Sequence, residues 1–140
     1  MRTSPRAEKR RVDCVGGIVV ADGRLLLIQR GQEPAKGSWS VPGGRKERGE
    51  SDADATAREV YEETGLRVVV GGLVGTVERD APDGSVYVIR DYRCISAVGD
   101  RAVVRAGDDA VDVGWFSPAQ VRELDCAPGL VAALEDWGLV

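Results

Sequence analysis

The chain has 140 residues, a length suited to one domain, with net charge −4 and no histidine. The lack of histidine excludes Ser-His-Asp and Cys-His catalysis and imidazole metal sites, and the acidic balance argues against general nucleic-acid binding. A composition of 43% hydrophobic and 30% charged residues is that of a globular domain, and no apolar run approaches the ~20 residues of a membrane span.

The chain opens on "MRTSPRAEKRR", basic and without an apolar stretch behind it. This reads as a flexible tail over residues 1–11 ahead of a domain over 12–140, not as a secretory leader. An arm for an anionic partner is the alternative. Cys14, Cys94 and Cys126 are widely spaced and form no CxxC pair, which points to reduced thiols and a cytoplasmic protein. Cys14 and Cys94 sit in apolar runs and read as small core residues. "VDCVGGIVV", "ADG" and "RLLLIQR" predict a β-hairpin turning at Asp22-Gly23. Residues 31–44, rich in Gly and Pro, predict a loop. A helix follows, with Ser51 as N-cap, Asp54 as its capping-box partner and Gly65 as the stop. Ala53, Ala57, Val60 and Thr64 would form its core face. Then come the strand-like runs "LRVVV", "LVGTVERD" and "SVYVIRDYRCISAV", the last two flanking a Pro-Asp-Gly turn that begins at Pro82. "AVDVGWF" predicts a further strand, and "SPAQVREL" and "PGLVAALEDW" short helices, the first with Ser117 as cap and Pro118 at its first position. Trp115 and Trp137 read as core. The order of elements fits an α+β or mixed α/β sandwich.

Residues 43–66, "GGRKERGESDADATAREVYEETGL", concentrate seven carboxylates. Glu59, Glu62 and Glu63 stand at i, i+3 and i+4, on one helical face, where each like-charge pair costs about 0.2–0.5 kcal/mol. Arg58 is placed to offset Glu62 alone. A solvated acidic face is one explanation. A hard divalent cation, which prefers oxygen ligands and bridges carboxylates to phosphates, is the other.

The wider pattern decides between them. Gly44, Glu50, Arg58-Glu59-Val60, Glu62-Glu63 and Gly65-Leu66 form G-x5-E-x7-R-E-U-x-E-E-x-G-U, with U aliphatic. Seven fixed residue types at average usage match by chance about 10⁻⁸ of the time per starting point. The pattern resembles the Nudix box and is complete. "RLLLIQR", "GSWSVPGG" and "VDVGWFSPAQV" resemble the segments flanking it in that family, so the likeness runs from about Val12 onward.

The resemblance implies a Nudix-type α/β/α sandwich with a mixed sheet. It also implies metal-dependent hydrolysis of a nucleoside diphosphate linked to another group. Mg²⁺, or Mn²⁺ in its place, would be held by Glu59, Glu62, Glu63 and the Gly43 carbonyl. Arg58 would orient a carboxylate, and Glu50, Gly44 and Gly65 would shape the box. Glu59, Glu62 and Glu63 all stay open as the base. Asp109, preferred over Asp108, could join the metal site or be a solvated turn. Arg30 could reach substrate phosphate or be a surface arginine. Trp39 could stack on a base or anchor its loop. The partner implied is a small nucleotide, with no membrane, and a homodimer is compatible. Pro82 lies 16 residues after Leu66, a spacing similar to the ADP-ribose branch of the family, although its turn explains it equally. Two other functions share the framework: a nucleoside triphosphate pyrophosphohydrolase of the 8-oxo-dGTP type, and a nucleotide-sensing module without catalysis.

Overall fold

A computed structural model describes residues 9–99, 103–107 and 109–140; the expectations for the first eight residues of the tail and for Asp108 lie outside the described residues. The hairpin forms from β1 (Arg11–Ala21) and β2 (Arg24–Arg30). Asp22 and Gly23 both take positive φ, 52° and 71°, as a two-residue turn between twisted strands requires. The strands pair only next to the turn, at Val20↔Leu25 and Ala21↔Arg24, and then diverge. β1 continues in parallel with β6 (Val86–Ser96) and antiparallel with β4 (Gly43–Arg45). β2 lies between β3 (Trp39–Ser40) and β7 (Ala110–Phe116). β5 (Val68–Asp80) pairs antiparallel with β6 and closes the order β3-β2-β1-β6-β5, with β4 on β1 and β7 on β2.

Two expectations change. "LRVVV" and "LVGTVERD" are one strand, β5, whose register shifts twice between Val70 and Gly75. Gly71 and Gly72 interrupt the alternating pattern there, and glycines in a strand commonly mark a bulge. The 31–44 loop contains β3 and β4, which at two and three residues show no period in sequence.

Helix α1 (Asp52–Thr64) has the expected ends. Ser51 Oγ accepts from the Asp54 amide, and Gly65, at φ 75°, donates to the Tyr61 carbonyl. Among the described residues the reciprocal bond from the Asp54 carboxylate is missing; Asp is one methylene shorter than the Glu of a full capping box. A full box forms at α2 (Pro118–Glu123), between Ser117 and Gln120. The core face of α1 is Ala55, Thr56, Val60, Glu63 and Thr64. Ala53, expected in it, is exposed, and Ala57 is half-buried. The two threonines can be buried because their hydroxyls donate to the Asp52 and Val60 carbonyls.

Alternation along β1 and β2 sends successive side chains to opposite faces. Val19 and Leu26 meet Val60 of α1, with Leu66 and Cys94. Ile18, Leu25 and Leu27 meet Val121 of α2 and Leu130 and Leu134 of α3 (Leu130–Asp136). Each such fully buried aliphatic is worth about 1.5–3 kcal/mol, which holds α1 to one face and α2 and α3 to the other. This is the expected α/β/α sandwich on a mixed sheet. Cys14 and Cys94 are buried free thiols, which burial pushes up to about 11 and about 12. Trp115 and Trp137 are half-buried and pack against the two clusters. Among the described residues no helix is long and apolar enough to cross a membrane.

Asp52 fastens the start of α1. It accepts from Arg90 Nε at 2.7 Å, Tyr92 Oη at 2.5 Å and Lys46 Nζ at 2.7 Å, tying the helix to β6 and to the segment after β4. A helix N-terminus also favours negative charge. Arg90 above all, then Lys46 and Tyr92, hold this carboxyl well below the usual range. Asp52→Asn is expected to cost about 2 kcal/mol in urea unfolding at neutral pH. Because the folded pKa is depressed, that contribution is present above the ordinary aspartate pKa and fades as pH falls below it. The gap to wild type should therefore shrink from pH 7 to pH 3; an equal gap at both values would contradict the assignment.

Candidate active site

The last two turns of α1 carry Glu59, Glu62 and Glu63 against the Gly43-Gly44 pair of β4. Glycine is needed at both positions. A Cβ on Gly43 would lie 2.2 Å from the Val15 carbonyl oxygen, and one on Gly44 would lie 2.8 Å from the Glu59 carboxylate. Bare backbone lets β4 pass between β1 and the acidic face.

Each carboxylate has a distinct setting. Glu63 is 7% exposed, and its Oε1 accepts from the Gly43 amide at 2.8 Å. Burial pushes its carboxyl up to about 8, helped by the charges of Glu59 and Asp109 and opposed by the Gly43 amide and Arg30. Glu59 accepts from Arg58 Nη1 at 2.8 Å, and burial raises its pKa against the pull of Arg58. Glu62, the most open of the three, accepts from the same nitrogen at 3.2 Å. Arg58 also grips Glu50 through Nε and Nη2, at 2.7 and 2.8 Å, and donates to the Arg45 carbonyl at 3.2 Å. That fork holds Glu50 down to about 2.

Arg58 therefore offsets more of the acidic face than Glu62, the one partner that helical spacing gives it. Arg58 serves Glu50, Glu59 and Glu62 together, and a backbone amide serves Glu63. Among the described residues no three acidic, cysteine or histidine side chains converge at metal-binding spacing, because Glu59 and Glu62 turn to Arg58 while Glu63 turns to Gly43. The chemistry of the donors nevertheless fits a hard divalent cation: all are oxygens, and Glu63 is a buried acid whose ionised form a nearby positive charge would stabilise.

The chain after β6 returns across the end of α1. The Arg105 and Gly107 amides donate to the Thr64 and Glu63 carbonyls at 2.9 and 3.0 Å, capping a helix end that would otherwise leave carbonyls without partners. A Cβ on Gly107 would stand 2.1 Å from the Glu62 carbonyl oxygen. This crossing brings Asp109 into electrostatic range of Glu63. Asp109 is exposed, has φ 45°, and accepts from Gln32 at 2.7 Å. Arg30 also acts on Glu63 from the end of β2, where its Nε donates to the Pro34 carbonyl at 2.6 Å. Trp39 stands apart from this group. Its ring meets Phe116 edge-on at 4.9 Å, and its backbone bonds Asp125 and Ala127, so it anchors the loop to the layer beneath α2 and α3. Pro82 is exposed, in a turn closed by Gly84 N–H to the Ala81 carbonyl at 3.1 Å.

Sequence reasoning missed Asp91. It is 3% exposed, its Oδ1 has no hydrogen-bond partner among the described residues, and burial pushes it up to about 7 against the charge of Arg79. No local signal marks it: its burial comes from β6 lying between β1 and β5.

The NUDIX domain model matches residues 9–135. A MutT-like protein of Streptomyces ambofaciens is 38% identical over 80% of this chain and 67% of its own length. A Methanocaldococcus jannaschii protein called ADP-ribose pyrophosphatase is 37% identical over 73% of this chain and 59% of its own. The crystal structure of a MutT NUDIX hydrolase from Burkholderia pseudomallei superposes with a TM-score of 0.78 at 28% identity, covering 91% of this chain and 98% of that one. The fold, the complete box over residues 44–66 and the family match over nearly the whole chain agree: this protein belongs to the Nudix hydrolase family.

Proposed function

We propose that the protein splits the diphosphate bond of a nucleoside diphosphate linked to another group, with ADP-ribose-like compounds as the preferred class. The observation that carries this reading is the turn of α1 on which Arg58 and the Gly43 amide position Glu59, Glu62 and Glu63, with Arg30 in electrostatic range of Glu63. Mg²⁺, or Mn²⁺ as a substitute, would be held by these three glutamates with the Gly43 carbonyl and Asp109, and when bound neutralises the diphosphate and acidifies water.

The residues supply the rest. Water forms a bond to phosphorus, the bridging P–O bond breaks, and two phosphate monoesters leave. One of Glu59, Glu62 and Glu63 takes the water's proton. Arg58 fixes two of these groups through charge-assisted bonds, and Glu50 braces Arg58 so that the arrangement exists before substrate arrives. Arg30 is placed to bind a phosphate oxygen. The preference for a bridged diphosphate is supported by the name of the Methanocaldococcus relative; the spacing of Pro82 after Leu66 leans the same way, though its turn also explains that residue.

A substrate panel with mass identification of products, compared as kcat/KM, tests the reading. Hydrolysis of ADP-ribose to AMP and ribose 5-phosphate is expected to exceed that of every triphosphate tested. A triphosphate cleaved to monophosphate and pyrophosphate at tenfold higher kcat/KM would transfer the assignment to the triphosphate class. Tight nucleotide binding with no cleavage of any compound would make the protein a sensor.

A further inference from the structure

A solvent-open depression of about 500 Å³ lies between the start of β1 and the segment after β4, outside the acidic face of α1. From the geometry we infer that it is a second anion site, which takes the phosphate chain of a small polyphosphate. Among the described residues its lining carries five cations, Arg10, Arg11, Arg45, Lys46 and Arg48, in a protein of net charge −4.

The three acids in the lining are answered by arginines that do not line it. Asp13 pairs with Arg90 at 3.5 Å, while Glu47 and Glu50 pair with Arg58 at 3.7 and 2.7 Å. Two of the cations are likewise occupied: Arg11 by Glu78 at 2.6 Å and Lys46 by Asp52 at 2.7 Å. The other three are not. Arg10 and Arg48 are exposed and make no ion pair among the described residues. Arg45 is held by a neutral group, donating to Tyr87 Oη at 2.9 Å with its guanidinium 5.2 Å from that ring's centre. Asp83, from the turn between β5 and β6, interacts electrostatically with Arg10 and Arg45, and it accepts from Ser85.

The walls are set in advance. Lys46 N–H donates to the Asp13 carbonyl at 3.1 Å, the Glu47 amide to Glu50 at 2.6 Å, and the Glu50 amide back to the Glu47 carbonyl at 3.1 Å. The exposed guanidinium groups of Arg10 and Arg48, beside that of Arg45 held toward Tyr87, suit phosphate oxygens, which a planar fork binds in pairs. Among the described residues Val12 is the only aliphatic one in the lining, so these residues supply no apolar wall of the kind with which pockets hold a base or another ring. The volume fits a small molecule, and the acidic chain as a whole disfavours an extended nucleic acid.

The test is calorimetric titration of the full chain with inorganic tripolyphosphate in excess chelator, where the α1 carboxylates repel anions. ATP under the same conditions separates a nucleotide source from an inorganic one, and a short single-stranded RNA serves as competitor. One tripolyphosphate per chain is expected to bind, less tightly as salt rises, with ATP within tenfold of it. Arg10→Glu and Arg48→Glu should each weaken binding at least tenfold, and Arg48→Lys should retain most of it. All three variants should keep the wild-type melting temperature and metal-dependent hydrolysis, since neither residue touches the acidic turn. Absent binding in wild type, or unchanged binding in both charge reversals, would overturn the site. ATP binding more than tenfold tighter, or RNA displacing tripolyphosphate at lower concentration, would overturn the phosphate-chain assignment. None of these outcomes depends on which bond the enzyme cleaves.

Discussion

Glu63→Gln is expected to lower kcat by at least ~10²-fold while leaving metal-free thermal stability unchanged or higher. The two effects have separate origins. Glu63 is nearly enclosed, and burial pushes its carboxyl up to about 8, so the ionised form is costly to fold around. The amide of Gln keeps an oxygen for the Gly43 N–H but carries no charge to desolvate. The same loss of charge weakens the hold on the cation that would neutralise the diphosphate in the transition state, and losing one such stabilising group costs about 10²–10³-fold. Glu62→Gln should lose activity to the same degree but change stability little, since Glu62 is the more open residue and its pairing with Arg58 is partly solvated. Turnover and thermal melting in chelator, measured on both variants, check this. Near-wild-type turnover in either would remove that residue from the reacting site.

Arg58→Ala is expected to do the opposite to stability. It removes a guanidinium that grips Glu50 in a fork and also holds Glu59 and Glu62. Three carboxylates would then face one another without a cation, two of them largely shielded from water, at 17% and 14% side-chain exposure. Breaking such a network by removing one member costs about 2–4 kcal/mol, and kcat should fall at least ~10²-fold as Glu59 and Glu62 lose their positions. Arg58→Lys keeps the charge but not the fork, and should recover part of the stability with little of the activity. Urea unfolding and single-turnover rates read the two effects separately. An Arg58→Ala protein as stable as wild type would show that the grip on Glu50 does not organise the loop.

The parts of this site legible in the sequence are those set by local geometry. Helical spacing alone puts Glu59, Glu62 and Glu63 on one face, and Ser51 and Gly65 mark the ends of their helix. Asp22-Gly23 likewise fixes a turn that needs two left-handed residues. What the sequence concealed depends on distant partners. Glu50 meets Arg58 because a loop folds back over eight residues, so Arg58 looked committed to Glu62 alone when it also serves Glu50 and Glu59. β1 leaves its hairpin to run in parallel with β6, about 75 residues on, and no local pattern encodes that choice. The burial of Asp91 follows from that pairing, since its strand lies between β1 and β5. β3 and β4 are too short to show a period, yet β4 supplies the amide that holds Glu63. Ala53 had the right spacing for the core face and the wrong position, in the first turn of α1, where the buried side begins at Ala55 and Thr56.

The most direct test of the central claim is the initial rate of diphosphate cleavage by metal-stripped protein as Mg²⁺ is titrated back, with ADP-ribose and the best triphosphate as substrates. No cleavage in excess chelator is predicted, with activity returning on adding Mg²⁺ or Mn²⁺, and with Glu62→Gln and Glu63→Gln remaining at least ~10²-fold slower at saturating metal. Full activity in excess chelator would contradict the assignment of Glu59, Glu62 and Glu63 to a metal-dependent hydrolytic site.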